Sequence, residues 1–542
     1  MKLLRLTVEH AMSCGGLLDK VDIDFESEAG GSELEGVAKM TLSPHCLIGQ
    51  NGSGKSQLLQ LLAEIFQSAW CAHAPDQERD VADRSTLFTL EYLVSPQGRC
   101  EAEHVRLRRL KKGARILPLD MAVHRDGEWA SVSIDDEGFG ARLPSLIVGY
   151  TSGDNETLSL PFFVSRAGYA KSVREAAFEG SENLVADNRL LLIDYSTHLE
   201  VLVANLLLGT PAVQKAILED ARLDHLASFR CVIQLNHLTR LKSKRRRSEH
   251  RKGVQLTDEL EGYIAALQSA ATCWSYDSKQ EIYVFDFLVN EATRAVFAKN
   301  FDSPIALYRA FHKLALLNDL AIPSKARDRL KKEIETRRFA SRLPEPQDEE
   351  KIFRFEQVRF YRGDEKVIAR SLDYVSLSDG EHQLAQILGM FAMILQDNAL
   401  FILDEPESHF NPQWRVKFVK RLLNLPVEGR GGQEVLLTSH APFVPSDLRR
   451  DQVHVFSKGA DGKVQIVRPS VETYGAAFDR ILEHCFGVSP PISQLARDDI
   501  DNLMKNGSIE ELREAINTLG SSFEKAFLAD RLRQLEEAGA SN

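Results

Sequence analysis

Residues 49 to 56 read Gly49-Gln50-Asn51-Gly52-Ser53-Gly54-Lys55-Ser56 and match the pattern GxxxxGKS at every constrained position. No other stretch restricts the fold so tightly, because the pattern has physical meaning only between a strand and a helix. Both neighbours are there. Apolar Leu42, Cys46, Leu47 and Ile48 lead in, and Leu58, Leu59, Leu61, Leu62, Ile65 and Phe66 follow at helical spacing. Glycines in such a turn let successive backbone N–H groups point at an anion, and the dipole of the next helix favours negative charge at the same place. The pattern predicts an α/β chain in which Asn51, Gly52, Ser53, Gly54, Lys55 and Ser56 bind a nucleoside triphosphate. Lys55 is expected at the β and γ oxygens and the Ser56 hydroxyl at Mg²⁺.

At 542 residues there is room for two or three domains and a large core. The densest apolar runs, Ile387 to Leu395 and Val201 to Leu208, are too short to cross a bilayer, and Met1 to Arg5 lacks a signal peptide's apolar stretch. A soluble cytoplasmic protein with no membrane partner is expected. The seven cysteines are scattered and never form a CxxC pair, which points away from a disulfide framework or a zinc hook. A net charge of -11 argues against wholesale coating of nucleic acid, yet eight of the thirteen residues from Arg240 to Lys252 are Lys or Arg. Lys244, Arg245 and Arg246 in that run, and Arg106 and Arg108 in a strand-like alternation with Val105 and Leu107, are the candidates for nucleic-acid contact. A solvated loop and a solvated strand face are the respective alternatives.

Three further elements lie more than three hundred residues downstream. Ala399-Leu400-Phe401-Ile402-Leu403-Asp404-Glu405-Pro406 is an apolar strand ending in two carboxylates. Asp404 suits Mg²⁺, and Glu405 suits orienting and deprotonating an attacking water. Upstream of it, Leu377-Ser378-Asp379-Gly380-Glu381 opens a helix-like stretch; downstream, Val435-Leu436-Leu437-Thr438-Ser439-His440 reads as a strand delivering His440 to the edge of the site.

In this order the four elements resemble those of ATP-binding-cassette ATPases, specifically the soluble RecF/SMC-like and overcoming-lysogenisation-like branch, with its long insertion between the two halves of the site. The resemblance implies a homodimer or higher oligomer with ATP and Mg²⁺ at the interface, Ser378 and Gly380 of one subunit closing over nucleotide held by the other. It also implies catalytic roles for Glu405 and His440. Asp379 departs from the family pattern, which has a second glycine there. The glutamine that usually meets Mg²⁺ is not identifiable by spacing, and Asn155, in the turn-like stretch Tyr150 to Glu156, is the candidate for its place.

Hydrophobic patterning divides the chain into a first ATPase lobe, 1–165; a mostly helical insertion carrying the basic run, 166–350; a second lobe, 351–465; and a helical tail, 466–542. The insertion holds helical stretches at Tyr195 to Leu208, Leu256 to Ser269 and Ile305 to Leu320, with strand-like Phe229 to Leu235 and Ile282 to Phe287. It lacks the sustained heptads of a coiled-coil arm. In the tail only Asp498, Asp499 and Asp501 cluster carboxylates, and a charged helix face explains them more simply than a two-metal nuclease.

An ATPase of this layout with no effector of its own is similar to the restriction-system-associated ATPases and to the PtuA family, the ATPase subunits of Septu and some retron anti-phage systems. The resemblance rests on the four motifs, which alone are specific, and on a layout that includes Cys14-Gly15-Gly16-Leu17-Leu18-Asp19, the Tyr150 turn and the tail from Thr473 to Leu532. It implies an HNH nuclease partner, PtuB-like, acting on nucleic acid. The rival expectations are a RecF-like repair ATPase that binds DNA directly, and a self-contained nuclease using the Asp498 cluster.

Overall fold

The computed structural model describes residues 1–26, 42–75, 84–96, 102–153, 156–179, 185–194, 197–236, 253–323, 325–326, 329, 332–333, 346–362, 371–427, 432–459 and 461–540. Continuous apolar runs form strands buried on both faces, as parallel sheets require. Six such strands lie parallel in the order Leu190–Ile193, Leu146–Thr151, Ala399–Asp404, Glu434–Ser439, Ser43–Gly49 and Val453–Lys458, and Val464–Val467 closes the far edge antiparallel. The strand leading to the phosphate loop thus sits beside the strand that ends at His440, with Ser439 opposite Ile48. One strand further on is the strand ending at Asp404, with Leu403 opposite Leu437. The pairing gathers the carboxy-terminal ends of these strands at one rim, where ligands bind in sheets of this kind.

The helix Lys55–His73 explains its broad apolar face by having two sheets to cover. Leu58, Leu59, Leu61, Leu62, Ile65, Phe66, Ala69 and Trp70 are all buried. They share one core with Leu47, Ile147, Leu400, Ile402 and Leu436 of the parallel sheet, and with Leu90, Tyr92, Val105, Leu107 and Met121 of a six-stranded antiparallel sheet. That second sheet runs in the order Asp22–Asp24, Lys2–His10, Leu87–Val94, Glu103–Arg109, Asp120–Arg125 and Glu128–Val132. Burying each large apolar side chain contributes about 1.5–3 kcal/mol, so this helix is among the best-anchored elements of the fold.

The inserted region contains the expected helices, at His198–Leu208, Asp258–Ala270 and Pro304–Leu316, each begun at a Thr or Ser. Its strand-like stretches are real strands, His225–Gln234 and Ile282–Leu288, paired antiparallel through Phe229 and Phe287, whose rings stack at 4.4 Å.

Three expected boundaries need correction. Position 165 falls inside the helix Glu156–Glu179, and the edge strand Leu190–Ile193 of the parallel sheet lies beyond it. The strand Phe353–Tyr361, expected in the second ATPase lobe, pairs with His225–Gln234 and so belongs to the insertion's five-stranded sheet. Periodicity identifies a strand but not its neighbour. The tail starts at 476 rather than 466, because Val464–Val467 completes the parallel sheet.

Residues Met1–Gly475 form one compact unit and Ala476–Asn542 another. The second is a group of four helices, Phe478–Phe486, Gln494–Asn506, Ile509–Thr518 and Phe523–Ala540, centred on Ile500, Leu512 and Leu528. Among the described residues no helix is long and apolar enough to cross a membrane.

Candidate nucleotide site

Gly49, Gly52 and Gly54 adopt φ of 132°, 70° and 98°, conformations that L side chains rarely take. Gly49 has a second reason: a Cβ there would lie 2.0 Å from the Phe456 carbonyl oxygen on the next strand. Gly54 caps the helix that begins at Lys55. The Lys55 ammonium donates to the carbonyls of Gly49 at 3.1 Å and Gln50 at 3.0 Å, curling over the loop. Burial lowers its pKa, against the pull of Glu405 and Asp404. Ser53 is buried, and its hydroxyl has no hydrogen-bond partner among the described residues.

Opposite the loop, the Ser56 hydroxyl lies 3.0 Å from each oxygen of Asp404, although the two residues are 348 positions apart. Asp404 is buried, which raises its pKa, while hydrogen bonds from Thr438 and Ser56 oppose the rise. The next residue, Glu405, has φ of 49°, a left-handed conformation uncommon outside glycine. This turn carries its carboxylate away from the strand to His440, whose Nε2 is 2.9 Å from Glu405 Oε1. The hydrogen bond from His440 holds Glu405 below the usual carboxylate range despite partial burial.

The histidine strand meets the carboxylate loop residue by residue. Thr438 Oγ1 donates to Asp404 Oδ1 at 2.6 Å and accepts from the Glu405 amide at 2.9 Å. Ser439 Oγ donates to Glu407, a buried carboxyl whose other oxygen has no partner among the described residues. Burial pushes the Glu407 pKa up to about 7. The sequence assigns Thr438, Ser439 and Glu407 no role of their own. Thr438 and Ser439 adjoin His440, but a hydroxyl two residues from a candidate histidine carries no pairing information until the strands are placed.

Ser378 is exposed and caps the helix Asp379–Met393 in a reciprocal box. Its hydroxyl accepts from the Glu381 amide, and the Glu381 carboxylate accepts from the Ser378 amide at 2.8 Å. Asp379 is the first residue of that helix, where the macrodipole favours a carboxylate. The departure from glycine therefore has a local explanation. Gly380 is buried, and a Cβ on it would come within 2.9 Å of the His409 carbonyl oxygen. Of the two residues expected to face another subunit, only Ser378 lies at the surface. Asp379 also borders a cleft of about 180 Å³ shared with Tyr150, Thr151, Ser152 and His409.

The other predicted positions are not all brought to this site. Tyr150 and Thr151, expected in a turn, finish a strand instead, with Thr151 opposite Asp404; Asn155 lies outside the described residues. Lys244, Arg245 and Arg246 also lie outside them. The Arg108 side chain donates to Asp120 at 2.7 Å, and the Arg106 guanidinium stacks over Trp129 at 4.0 Å, so both have intrachain partners. Asp498, Asp499 and Asp501 are exposed on one helix, Asp498 accepting from Gln494. Among the described residues no group of three metal-binding side chains occurs.

The loop and rim fit a magnesium-bound triphosphate. Three glycines adopt positive φ, the buried Ser53 hydroxyl has no partner among the described residues, and Ser56 and Asp404 meet as two hard oxygen donors. Residues 243–447 match the family described as AAA domain, putative AbiEii toxin, Type IV TA system. No curated protein matches the sequence. Among solved structures, the SMC head domain from Thermotoga maritima is 13% identical, with 87% of this chain and 100% of that chain covered at a TM-score of 0.32. An Smc head bound to the C-terminal domain of ScpA derived from Pyrococcus furiosus is 12% identical, covering 86% and 96% at a TM-score of 0.30. Strand order and site geometry, rather than these scores, define the class. They are those of an α/β nucleotide-binding site, and residues 243–447 resemble an AAA domain.

Proposed function

We propose that this chain is an ATPase, the regulatory subunit of an anti-phage defence complex, and that its nucleotide cycle controls an HNH nuclease partner acting on nucleic acid. One observation carries the reading: Glu405, its hydrogen-bonded His440, Asp404 and the phosphate loop meet at one rim, while among the described residues no group of three metal-binding side chains occurs. The match to a family described as a putative toxin of a Type IV TA system supports a setting of this kind.

In this reading the loop amides and Lys55 bind the phosphates, and Ser56 and Asp404 hold Mg²⁺, which supplies charge neutralisation when bound. Glu405, kept ionised by His440, accepts a proton from the attacking water. Thr438 fixes the turn that aims Glu405. Exposed Ser378 meets the nucleotide of a facing subunit, so ATP stabilises a dimer and hydrolysis releases it. A differential affinity of about 3 kcal/mol shifts such an equilibrium roughly a hundredfold, enough to gate a partner.

The test is co-purification with the product of the neighbouring gene, followed by mass measurement with and without ATP. Glu405→Gln is expected to lock an ATP-bound dimer and hold the partner in one state. Mixing Lys55→Ala with Ser378→Arg subunits should restore one working site per heterodimer. Nucleic-acid cleavage by the purified chain alone, lost in Asp498→Ala, would refute the two-subunit reading. Tight DNA binding by the chain alone, abolished by charge reversal at Arg106 and Arg108, would favour the repair-type alternative.

A further inference from the structure

The edge hairpin Val453–Val467 contributes a wall to the phosphate loop. Each of the three loop glycines would meet this hairpin if given a Cβ: Gly49 the Phe456 carbonyl oxygen at 2.0 Å, Gly52 the Lys458 ammonium at 3.8 Å, and Gly54 the Val464 Cγ2 at 3.3 Å. Phe456 lies opposite Gly49 in the sheet, so Lys458, two residues on, points along the same face beyond the end of the loop strand. Lys458 is exposed, whereas nearby Lys463 pairs with Asp461 at 3.6 Å. Ser56, Asp404, Glu405 and His440 gather instead on the side of the loop strand where Glu434–Ser439 and Ala399–Asp404 lie.

From this geometry we infer that Lys458 is a second phosphate-contacting cation, facing the α and β phosphates across Gly52. The inference rests on the nucleotide reading of the loop and extends it to a residue more than four hundred positions away. The terminal phosphate is directed to the flank that holds Asp404 and Glu405, which leaves the inner phosphates to the Lys458 flank. An ammonium there adds charge-assisted contact to phosphates common to ATP and ADP. It therefore sets nucleotide affinity and leaves the chemical step to Glu405.

Equilibrium binding of fluorescent ATP and ADP analogues to the full chain tests this, using Lys458→Ala, Lys458→Arg, Lys458→Glu and, as a neighbouring control, Lys463→Ala. Lys458→Ala is expected to weaken ATP and ADP alike by about fivefold, as an exposed charge contact allows. Lys458→Glu should weaken both further, Lys458→Arg should stay near wild type, and Lys463→Ala should change neither. The loss should shrink as salt rises. Unaltered affinities in Lys458→Ala and Lys458→Glu, with binding abolished in Lys55→Ala, would overturn the role of Lys458 and leave the loop reading intact. A loss confined to ATP would overturn the assignment to the inner phosphates. Nucleotide binding that survives Lys55→Ala would bring down the loop reading itself.

Discussion

Thr438 donates to Asp404 Oδ1 at 2.6 Å while accepting from the backbone amide of Glu405 at 2.9 Å. One hydroxyl thus fixes the Asp404 carboxylate and the left-handed turn at Glu405. Thr438→Val keeps the shape and removes both bonds. It is expected to destabilise the fold by about 1–3 kcal/mol and to slow hydrolysis while nucleotide affinity holds. Denaturant melts and a comparison of kcat with the binding constant check this; wild-type turnover in the variant would count against the role.

The pH dependence of turnover should reveal the Glu405–His440 pair. Because the hydrogen bond from His440 lowers the Glu405 pKa, Glu405 stays ionised into acid. Removing the histidine takes away that lowering. His440→Ala should therefore move the acid limb of the kcat profile to higher pH and cut kcat by about tenfold or more. An acid limb that stays in place would dissociate the two residues.

Glu407 makes the opposite prediction for stability. Its pKa is raised in the folded chain to about 7, so the native state binds more protons than the unfolded one between the ordinary carboxylate range and that value. Stability from this group is complete below the unfolded pKa and is lost as pH rises towards 7, by about 3 kcal/mol in all. Glu407→Gln keeps an acceptor for Ser439 and removes the titration. The variant and wild type should unfold alike at pH 4, with the variant more resistant at pH 8; equal resistance at both would show that Glu407 does not titrate as described.

Steric demand along the phosphate loop is uneven. Gly49→Ala drives a methyl group into a backbone carbonyl and keeps a left-handed φ, for an expected cost above about 3 kcal/mol. Gly52→Ala meets only the flexible end of Lys458, and its cost should be the backbone strain alone, about 1–2 kcal/mol. Thermal melts of the two variants give the ranking directly.

Local chemistry in the sequence was enough to find the loop, its helix, the Asp404 strand and the His440 strand, because each carries its signal within a dozen residues. The strand Leu190–Ile193, by contrast, is too short to announce that it finishes a sheet begun at Ser43. Phe353–Tyr361 reads clearly as a strand, yet its attachment to His225–Gln234 depends on a partner more than a hundred residues earlier. The same limit hid Lys458 and Thr438, whose neighbours across the sheet are distant in the chain. Asp379 was legible as an anomaly, and only the helix it begins explains why a carboxylate is tolerated.

The 348 positions between Ser56 and Asp404 also have a bearing on biosynthesis. At about 5–20 residues per second, a ribosome needs some tens of seconds to deliver the carboxylate after the loop has emerged. Throughout that interval Ser56 has no Asp404 to meet, so a half-made copy holds only one side of the proposed metal site.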